Sequence, residues 1–468
     1  MRILFTNSPL HFSHGHTFTQ PDWQTLVLPL LAGIIGDKHT IRLVDNMPLL
    51  WRSNTILDEI REFKPAVVGF SIIAARDIHN TIAIIQQVRK LYPEIILIAG
   101  GQGGSFYDEL LLKNGINFVV RGEGEVTLKE LIRAFNEKNY DYSLVQGISF
   151  FDKEEIKKTA NRQRIHNLDD SPFPAVRLMP LRKSRWFPGR FTGPIEMSRG
   201  CPFDCNFCAI TSFWERSFRQ KSNERIIDEL KYLIGNGRSH LYLADDSFGM
   251  NEKKYVDLFE QILRLGLDIR FFAQMRTDTV GLHPKMMALA AKAGLYGVLI
   301  GFDTYEEEMF HHIVKVGSIE LNQKCTEVLR KNKIMIFGSH IYGFPEQKKP
   351  LDFSKTFWMG RRNSDLFRMP HFSLLPGTKI YGEMITQETV DTQGNDDARL
   401  FIRSKQEQKR FKKWYILFNM VNIFLPDEII KAIFHPNRNV RKIKQYGYIG
   451  ILRHHLYRIL RKVNLCDI

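Results

Sequence analysis

The repeated alternation of short β-branched runs with longer helical stretches constrains the fold most, because it leaves few architectures open. In residues 1–150, RILFTN, TIRLVD, AVVGFSI, IILIAGG and NFVVRGEGE read as strands. Around them lie a stretch of helical spacing from Trp23 to Gly36, then SNTILDEIREF, DIHNTIAIIQQVRKLY and TLKELIRAFNEK. Strands apolar on both sides are buried on both faces, so this region predicts a Rossmann-like α/β domain, a parallel sheet with helices on each side. Ligands of such sheets lie at the carboxyl ends of the strands. Those ends are Asn7–Ser8, Ser71–Ala74, Gly100–Gly104 and Gly122–Glu125.

Residues 151–190 lose the period: a charge cluster (DKEEIKK) is followed by SPFPAV and a basic, aromatic stretch, which reads as a linker. From 191 to 390 the alternation returns with longer repeats. The strands are PIEMSR, HLYLADD, IRFFAQMR, YGVLIGFD, IMIFGSHIYG and PHFSLLP, interleaved with helices such as NERIIDELKYLIGNG and PKMMALAAKAG. Six parallel units predict a partial (β/α)6 TIM barrel with its chemistry at the strand ends.

Residues 391–468 turn helical, basic and aromatic. The chain carries 66 Lys/Arg against 51 Asp/Glu, a net charge of +15, and from Arg399 onward sixteen basic residues face four acidic ones, so +12 of the excess sits there. Lys409, Arg410, Lys412 and Lys413 stand beside Phe411, Trp414 and Tyr415. Two readings stay open: an interfacial segment on an anionic membrane, or a helical region packed on the barrel with a charged outer face. No base-reading motif supports a nucleic-acid partner. No run of eighteen apolar residues predicts a spanning helix, and the start reads as a strand rather than an export signal. The expectation is a cytoplasmic chain with reduced thiols, at most peripheral at the inner membrane surface.

Three of the five cysteines stand in Arg199-Gly200-Cys201-Pro202-Phe203-Asp204-Cys205-Asn206-Phe207-Cys208. Three soft thiolates within eight residues suit a metal or cluster. A structural zinc site needs a fourth ligand, and no second CxxC pair supplies one. Three thiolates on a cubane leave one iron open. Cys325 and Cys466 read as ordinary thiols.

The C-x3-C-x2-C spacing, the preceding Ser198-Arg199-Gly200 and the aromatic Phe207 resemble the radical S-adenosylmethionine (SAM) superfamily over residues 191–390. The resemblance implies a [4Fe-4S] cluster on Cys201, Cys205 and Cys208 whose open iron chelates SAM and cleaves it to a 5′-deoxyadenosyl radical. It further implies SAM contacts at Phe207, at Asp245 and Asp246 for the methionine amine, at Gln274 and Arg276 for ribose or carboxylate, and at Lys315. Asp303 stands where many relatives have Glu-Ser, and Ile341-Tyr342-Gly343-Phe344-Pro345 resembles the turn whose backbone receives the adenine, which places Tyr342 and Gly343 there. PGTKIY (376–381) resembles the last strand end.

The glycine cluster Gly100-Gly101-Gln102-Gly103-Gly104 lets a bulky group lie against the backbone. Followed by VVRGEGEVTLKEL, it resembles the cobalamin-binding domain that precedes many radical SAM domains. That likeness implies cobalamin contacts at Ser71, Ala74, Gly100, Gly101, Gly103, Gly122 and Glu123, with Glu123 and Glu125 facing either cobalamin amides or interface partners. The loop SPLHFSHGHTFTQPDW lacks the Asp-x-His-x-x-Gly of histidine-ligated cobalamin domains, and Asp37-Lys38-His39 and Asp77-Ile78-His79 lack its glycine and its place. Cobalt without a histidine lower ligand follows, with Ser71–Arg76 lining that face, and His11, His14 and His16 read as a polar loop.

The combination implies a methyltransferase acting on an unactivated carbon of a small-molecule or lipid substrate through the 5′-deoxyadenosyl radical and methylcobalamin. An external electron donor of the flavodoxin or ferredoxin type is implied with it. Two alternatives remain: cobalamin-assisted ring formation or rearrangement, and a non-catalytic cobalamin or iron–sulfur regulator, which an intact triplet in a complete barrel disfavours. The amino-terminal domain has no cysteine, unlike methylthiotransferases.

Overall fold

The computed structural model describes residues 1–8, 23–36, 38–45, 55–73, 78–137, 140–347, 349, 352–386 and 413. The first domain runs β1 (Arg2–Asn7), α1 (Val27–Ile35), β2 (Thr40–Val44), α2 (Thr55–Phe63), β3 (Val67–Ser71), α3 (Ile78–Leu91) and β4 (Ile96–Gly100). It continues through α4 (Gly101–Phe106), α5 (Asp108–Lys113), β5 (Phe118–Val120), α6 (Gly124–Ala134), β6 (Ile148–Asp152) and β7 (Glu155–Lys158). The sheet order is β2-β1-β3-β4-β5-β6-β7. Two apolar clusters flank it: Val68, Phe70, Leu97 and Val119 face α3 and α5 on one side, while Ile3, Phe5, Val67 and Ile98 face α1 and α6 on the other. Period two thus sends alternate side chains into two cores, as a doubly covered sheet requires.

The expectation of a wholly parallel sheet ending at residue 150 needs correction. β6 and β7 pair antiparallel, and the first sheet extends to Lys158. The charge cluster that reads as linker is an exposed edge strand, where lysines and glutamates discourage further pairing.

The second domain runs β8 (Phe191–Ile195), β9 (Ser198–Gly200), α7 (Ala209–Trp214), β10 (Phe218–Gln220), α8 (Asn223–Gly235), β11 (Arg238–Leu243) and α9 (Glu252–Arg264). β12 (Arg270–Arg276), α10 (Thr277–Leu282), α11 (Pro284–Lys292), β13 (Leu295–Asp303), α12 (Glu307–His312) and α13 (Ile319–Lys331) follow. β14 (Met335–His340), α14 (Ser354–Asn363), β15 (Leu366–Arg368) and α15 (Lys379–Thr386) complete it. Six parallel strands in the order β15-β14-β13-β12-β11-β8 make an open, partial barrel. Side-chain caps start its helices: Ser222, Asn251 and Ser318 each accept the N–H three residues on, at Arg225, Lys254 and Leu321.

Two strand predictions shift here. PIEMSR is divided between β8 and β9, and the last strand is Leu366–Arg368 rather than PHFSLLP, which contributes isolated bridges, one of them from His371 to Tyr342. The basic region lies outside the described residues apart from Lys413, so neither reading of it is decided.

The barrel strands sort their side chains by alternation, which shifts once in β13, where the register against Phe271 and Phe272 skips a residue. Leu241, Leu243, Phe271, Ala273, Val298, Ile300 and Ile336 pack against the helices. Tyr242, Phe272, Tyr296, Leu299 and Phe337 turn to the opposite, concave face with Trp186 and Phe187. Trp23 of the first domain enters that face: its ring stacks on Tyr242 at 4.0 Å and lies 4.9 Å from Phe272. Sequence spacing assigns Trp23 to a helix, but the helix begins at Val27 and Trp23 joins the two domains instead. Trp23→Ala is expected to lower stability by about 3 kcal/mol, the scale of losing a packed aromatic. Urea unfolding checks this, and an unchanged midpoint with an unchanged slope would remove the bridging role.

Candidate cluster and cofactor site

The three cysteines lie on the loop from β9 to α7, at the carboxyl end of the barrel strands. β9 pairs antiparallel with β10, and Gly200 sits at φ +85° with the place of a Cβ 2.1 Å from the Ser217 carbonyl oxygen. Only glycine fits there. The loop closes on itself through Cys208 N–H to the Cys205 carbonyl (3.1 Å) and Thr211 Oγ1 to the Phe203 carbonyl (3.2 Å). Asn206 ties it to the barrel: its N–H and Nδ2 donate to the carbonyls of Ile313 and His312, and its own carbonyl accepts from Ile380 N–H.

Burial pushes all three thiols up, Cys208 to about 11 against hydrogen bonds from Thr211 and Ile210, with the charges of Cys205 and Cys201 raising it further. Thiols in this state are poor nucleophiles and become thiolates only against strong positive charge, which iron supplies. Among the described residues no three His, Cys, Asp or Glu side chains close around a single ion. The donor set fits a polynuclear cluster of three soft ligands, and no fourth cysteine stands on this loop.

The other residues expected at SAM divide into three groups. Asp245 and Asp246 follow β11 but turn to the cysteine loop. Asp245 accepts from Met197 N–H (2.9 Å) and the Ser198 hydroxyl (2.5 Å), and Asp246 from Gly200 N–H (3.0 Å). Burial raises Asp245 to about 7 against those hydrogen bonds, and Asp246 to about 6. Through these bonds both acids brace the approach to Cys201.

A second group gathers near the cysteines. Arg276 ends β12, lies 3.4 Å over the Phe203 ring, pairs with Asp278 (2.9 Å) and donates to the Val316 carbonyl. Asp303, at φ +60°, binds the buried Lys315, which also donates to the Gly301 carbonyl. Asp303 and Lys315 both act electrostatically on Cys205. Phe207 meets Phe344 edge-on at 5.9 Å. Gly343, at φ +83°, and Phe344 donate their N–H groups to Gln347 Oε1, while buried Tyr342 pairs along the backbone with the strip at His371. Gln274 stands apart, donating from Nε2 to the Tyr242 hydroxyl inside the concave face.

In the first domain the glycines open α4 directly from β4, and Gly103 and Gly104 are buried. Ser105 joins the two expected turns: its Oγ donates to the Gly101 carbonyl (2.9 Å) and accepts from Gly122 N–H (3.1 Å). The Ser71 hydroxyl and Gln102 Nε2 are buried without a partner at the same edge. Orphaned polar atoms beside glycine backbone fit a ligand rich in amides, such as a corrin. Of the two alternatives for Glu123, its contacts are those of an interface residue: both its oxygens accept from Arg199, Arg219 and Ile165 N–H. Ala74, Arg76, His11, His14 and His16 lie outside the described residues. The edge faces the cluster loop, for Phe106 of α4 lies 6.3 Å from Phe213 of α7, and a Cβ on Gly377 would fall 2.2 Å from its ring.

A Rossmann-type sheet with a glycine-rich ligand edge, set against a partial barrel carrying a three-cysteine loop, defines a two-cofactor radical enzyme. Residues 19–132 match the family model of the B12 binding domain, and residues 195–352 that of the Radical SAM superfamily. The chain belongs to the radical SAM enzymes that carry a cobalamin-binding domain. An uncharacterised methyltransferase of Pyrococcus horikoshii is 26% identical over 420 residues, 87% of this chain and 90% of its own. The anaerobic magnesium-protoporphyrin IX monomethyl ester cyclase of Rubrivivax gelatinosus is 25% identical over 394 residues, 82% of this chain and 70% of its own. The solved structure of the radical SAM methyltransferase TsrM from Kitasatospora setae, with cobalamin and a [4Fe-4S] cluster bound, shares the fold. Its TM-score is 0.64 at 17% identity, covering 82% of this chain and 75% of that one.

Asp245 gives a pH signature. The folded chain keeps its proton up to about pH 7, whereas the unfolded chain releases it near 3.8, so stability falls as pH rises across that window. Asp245→Asn is uncharged at every pH and keeps an oxygen to accept from Met197 N–H as Asp245 does. It is expected to flatten the fall by roughly 2–4 kcal/mol on a conversion of about 1.4 per unit. Asp246 leaves a residual slope of the same sign. Urea titrations at pH 5 and 7.5 decide it, and an unaltered slope in the variant would refute the assignment.

Proposed function

We propose that this protein is a cobalamin-dependent radical SAM methyltransferase acting on an unactivated carbon of a small molecule. The observation that carries it is the adjacency just described: the loop of Cys201, Cys205 and Cys208 and the glycine edge of the first sheet face each other through Phe213 and Phe106. When bound, the cluster supplies the electron that cleaves SAM, and the corrin supplies the methyl group. The chain holds the cluster on its three thiols and offers the corrin Ser71, Gly100, Gly101, Gly103 and Gly122. Arg276, Asp303, Lys315, Phe207, Tyr342 and Gly343 surround the same strand ends and orient SAM there. The concave face, filled by Trp23, Tyr242, Phe272 and Tyr296, keeps water from the centre.

Ring formation without methyl transfer is the second reading, favoured by the likeness to the Rubrivivax gelatinosus cyclase. Both require the same two cofactors and an external one-electron donor of the flavodoxin or ferredoxin kind. No helix among the described residues is long and apolar enough to cross a membrane. Peripheral contact therefore rests on the basic segment beyond Arg399, and salt-sensitive vesicle binding is its readout.

Replacing Cys201, Cys205 and Cys208 by Ala is expected to abolish the brown cluster absorbance and the bound iron of anaerobically reconstituted protein. Iron retained at the wild-type level would defeat the cluster assignment. Methyl-labelled SAM separates the two readings: label in a candidate substrate supports methyl transfer, and a product formed without label supports ring formation.

A further inference from the structure

Arg199 stands two residues before Cys201 and is held by the other domain. Its side chain is only 5% exposed and bonds three carboxylates: Nη1 to Glu123 at 2.8 Å and to Glu125 at 2.6 Å, and Nε to Glu196 at 2.7 Å. Glu123 is the cap residue and Glu125 the first-turn acid of α6 in the amino-terminal domain. Directly opposite Arg199 on β10, Arg219 places Nη1 on both oxygens of Glu123 (3.0 and 2.9 Å) and on the Ile165 carbonyl. Ile165 N–H completes the set at 2.8 Å, so Glu123 accepts four hydrogen bonds, the full capacity of a carboxylate.

Two buried guanidinium groups of the barrel domain thus meet Glu123 and Glu125 across the domain boundary, with Glu196 on their own side, out of reach of screening salt. Removing one partner strands the others, which is far costlier than losing a surface pair. The bonds continue on both sides. Toward the cysteines, Arg199 is followed by Gly200, pinned by Asp246 and without room for a side chain. Toward the glycine edge, Glu123 is preceded by Gly122, whose N–H binds Ser105, which binds Gly101. A continuous series therefore runs Gly101, Ser105, Gly122, Glu123, Arg199, Gly200, Cys201.

We propose that Arg199 is a positioning residue which, through Glu123 and Glu125, locks the cysteine loop in register with the glycine edge of the first domain. The consequence for catalysis rests on the function proposed above; the mechanical coupling does not. Loss of the Glu123 charge loosens both ends of the series at once.

Hydrogen exchange on the full chain without cofactors tests the coupling. Glu123→Gln keeps the shape and removes the charge. Amides of residues 197–208 and of residues 101–106 are expected to exchange about tenfold faster together, while α9 and α13 keep their rates. Acceleration confined to residues 121–126 would overturn the proposal. If Glu123→Gln is insoluble, Glu125→Gln, which breaks one bond to Arg199, carries the same comparison.

The second measurement uses reconstituted protein with dithionite and SAM. Formation of 5′-deoxyadenosine is expected to fall about fivefold in Glu123→Gln at wild-type iron and cobalamin content, a loss of alignment rather than of cofactor. An unchanged rate at equal loading would refute the catalytic part. Wild-type protein that fails to load iron or cobalamin would sink the functional reading and leave the exchange result to judge the lock.

Discussion

Between β9 and α7 the chain carries three thiols, and beside the packing of Phe203 and Phe207 buried polar bonds fix the path of its backbone. Each intramolecular hydrogen bond contributes only about 1 kcal/mol net, yet a buried carboxylate without donors costs several times that. Asp245, Asp246 and Glu123 are therefore folded with their donors or not at all. The turn at Met197–Ser198, the bend at Gly200 and the cap of α6 form as one unit. The barrel supplies two of these acids from the end of β11, and the first domain supplies the third. Neither domain holds the cysteine loop alone.

Much of this was legible in local pattern. Fully apolar runs disclosed doubly covered strands, and the thiol spacing disclosed a cluster loop, because both signals are written within a dozen residues. Asp245 and Asp246 were not legible in the same way. An acid at a strand end reads identically whether it faces a ligand or a neighbouring turn, and the turn that claims Asp245 lies about 48 residues earlier in the chain. Arg199 was visible only as part of a motif, and its partners at Glu123 and Glu125 lie more than seventy residues away.

The misread segments share a cause. PHFSLLP alternates like a strand, but the place beside β14 is taken earlier by Leu366–Arg368, and PHFSLLP meets the chain beyond it at Tyr342. DKEEIKK is too polar to resemble a core strand, yet an edge strand needs polarity. Trp23 has helical spacing with its successors, but its large ring finds a better partner in Tyr242 across the domain boundary. In each case a distant surface outbid local preference, which is a tertiary effect that no short window contains.

The concave face completes the division of labour. Burial holds His240 neutral, down to about 3, and lifts Tyr242 and Tyr296 above the usual phenol range. His240 Nε2 and the Tyr296 hydroxyl pair at 2.7 Å, and Gln274 Nε2 donates to the Tyr242 hydroxyl. The lower lumen is therefore uncharged, while Arg276, Asp278, Asp303 and Lys315 stand at the strand ends. A zwitterionic ligand is costly in the uncharged region and compensated at the rim. That gradient confines charge to the level of the cysteine loop, where Arg199 ties the loop to the opposite domain and where two reactive groups from two domains can meet.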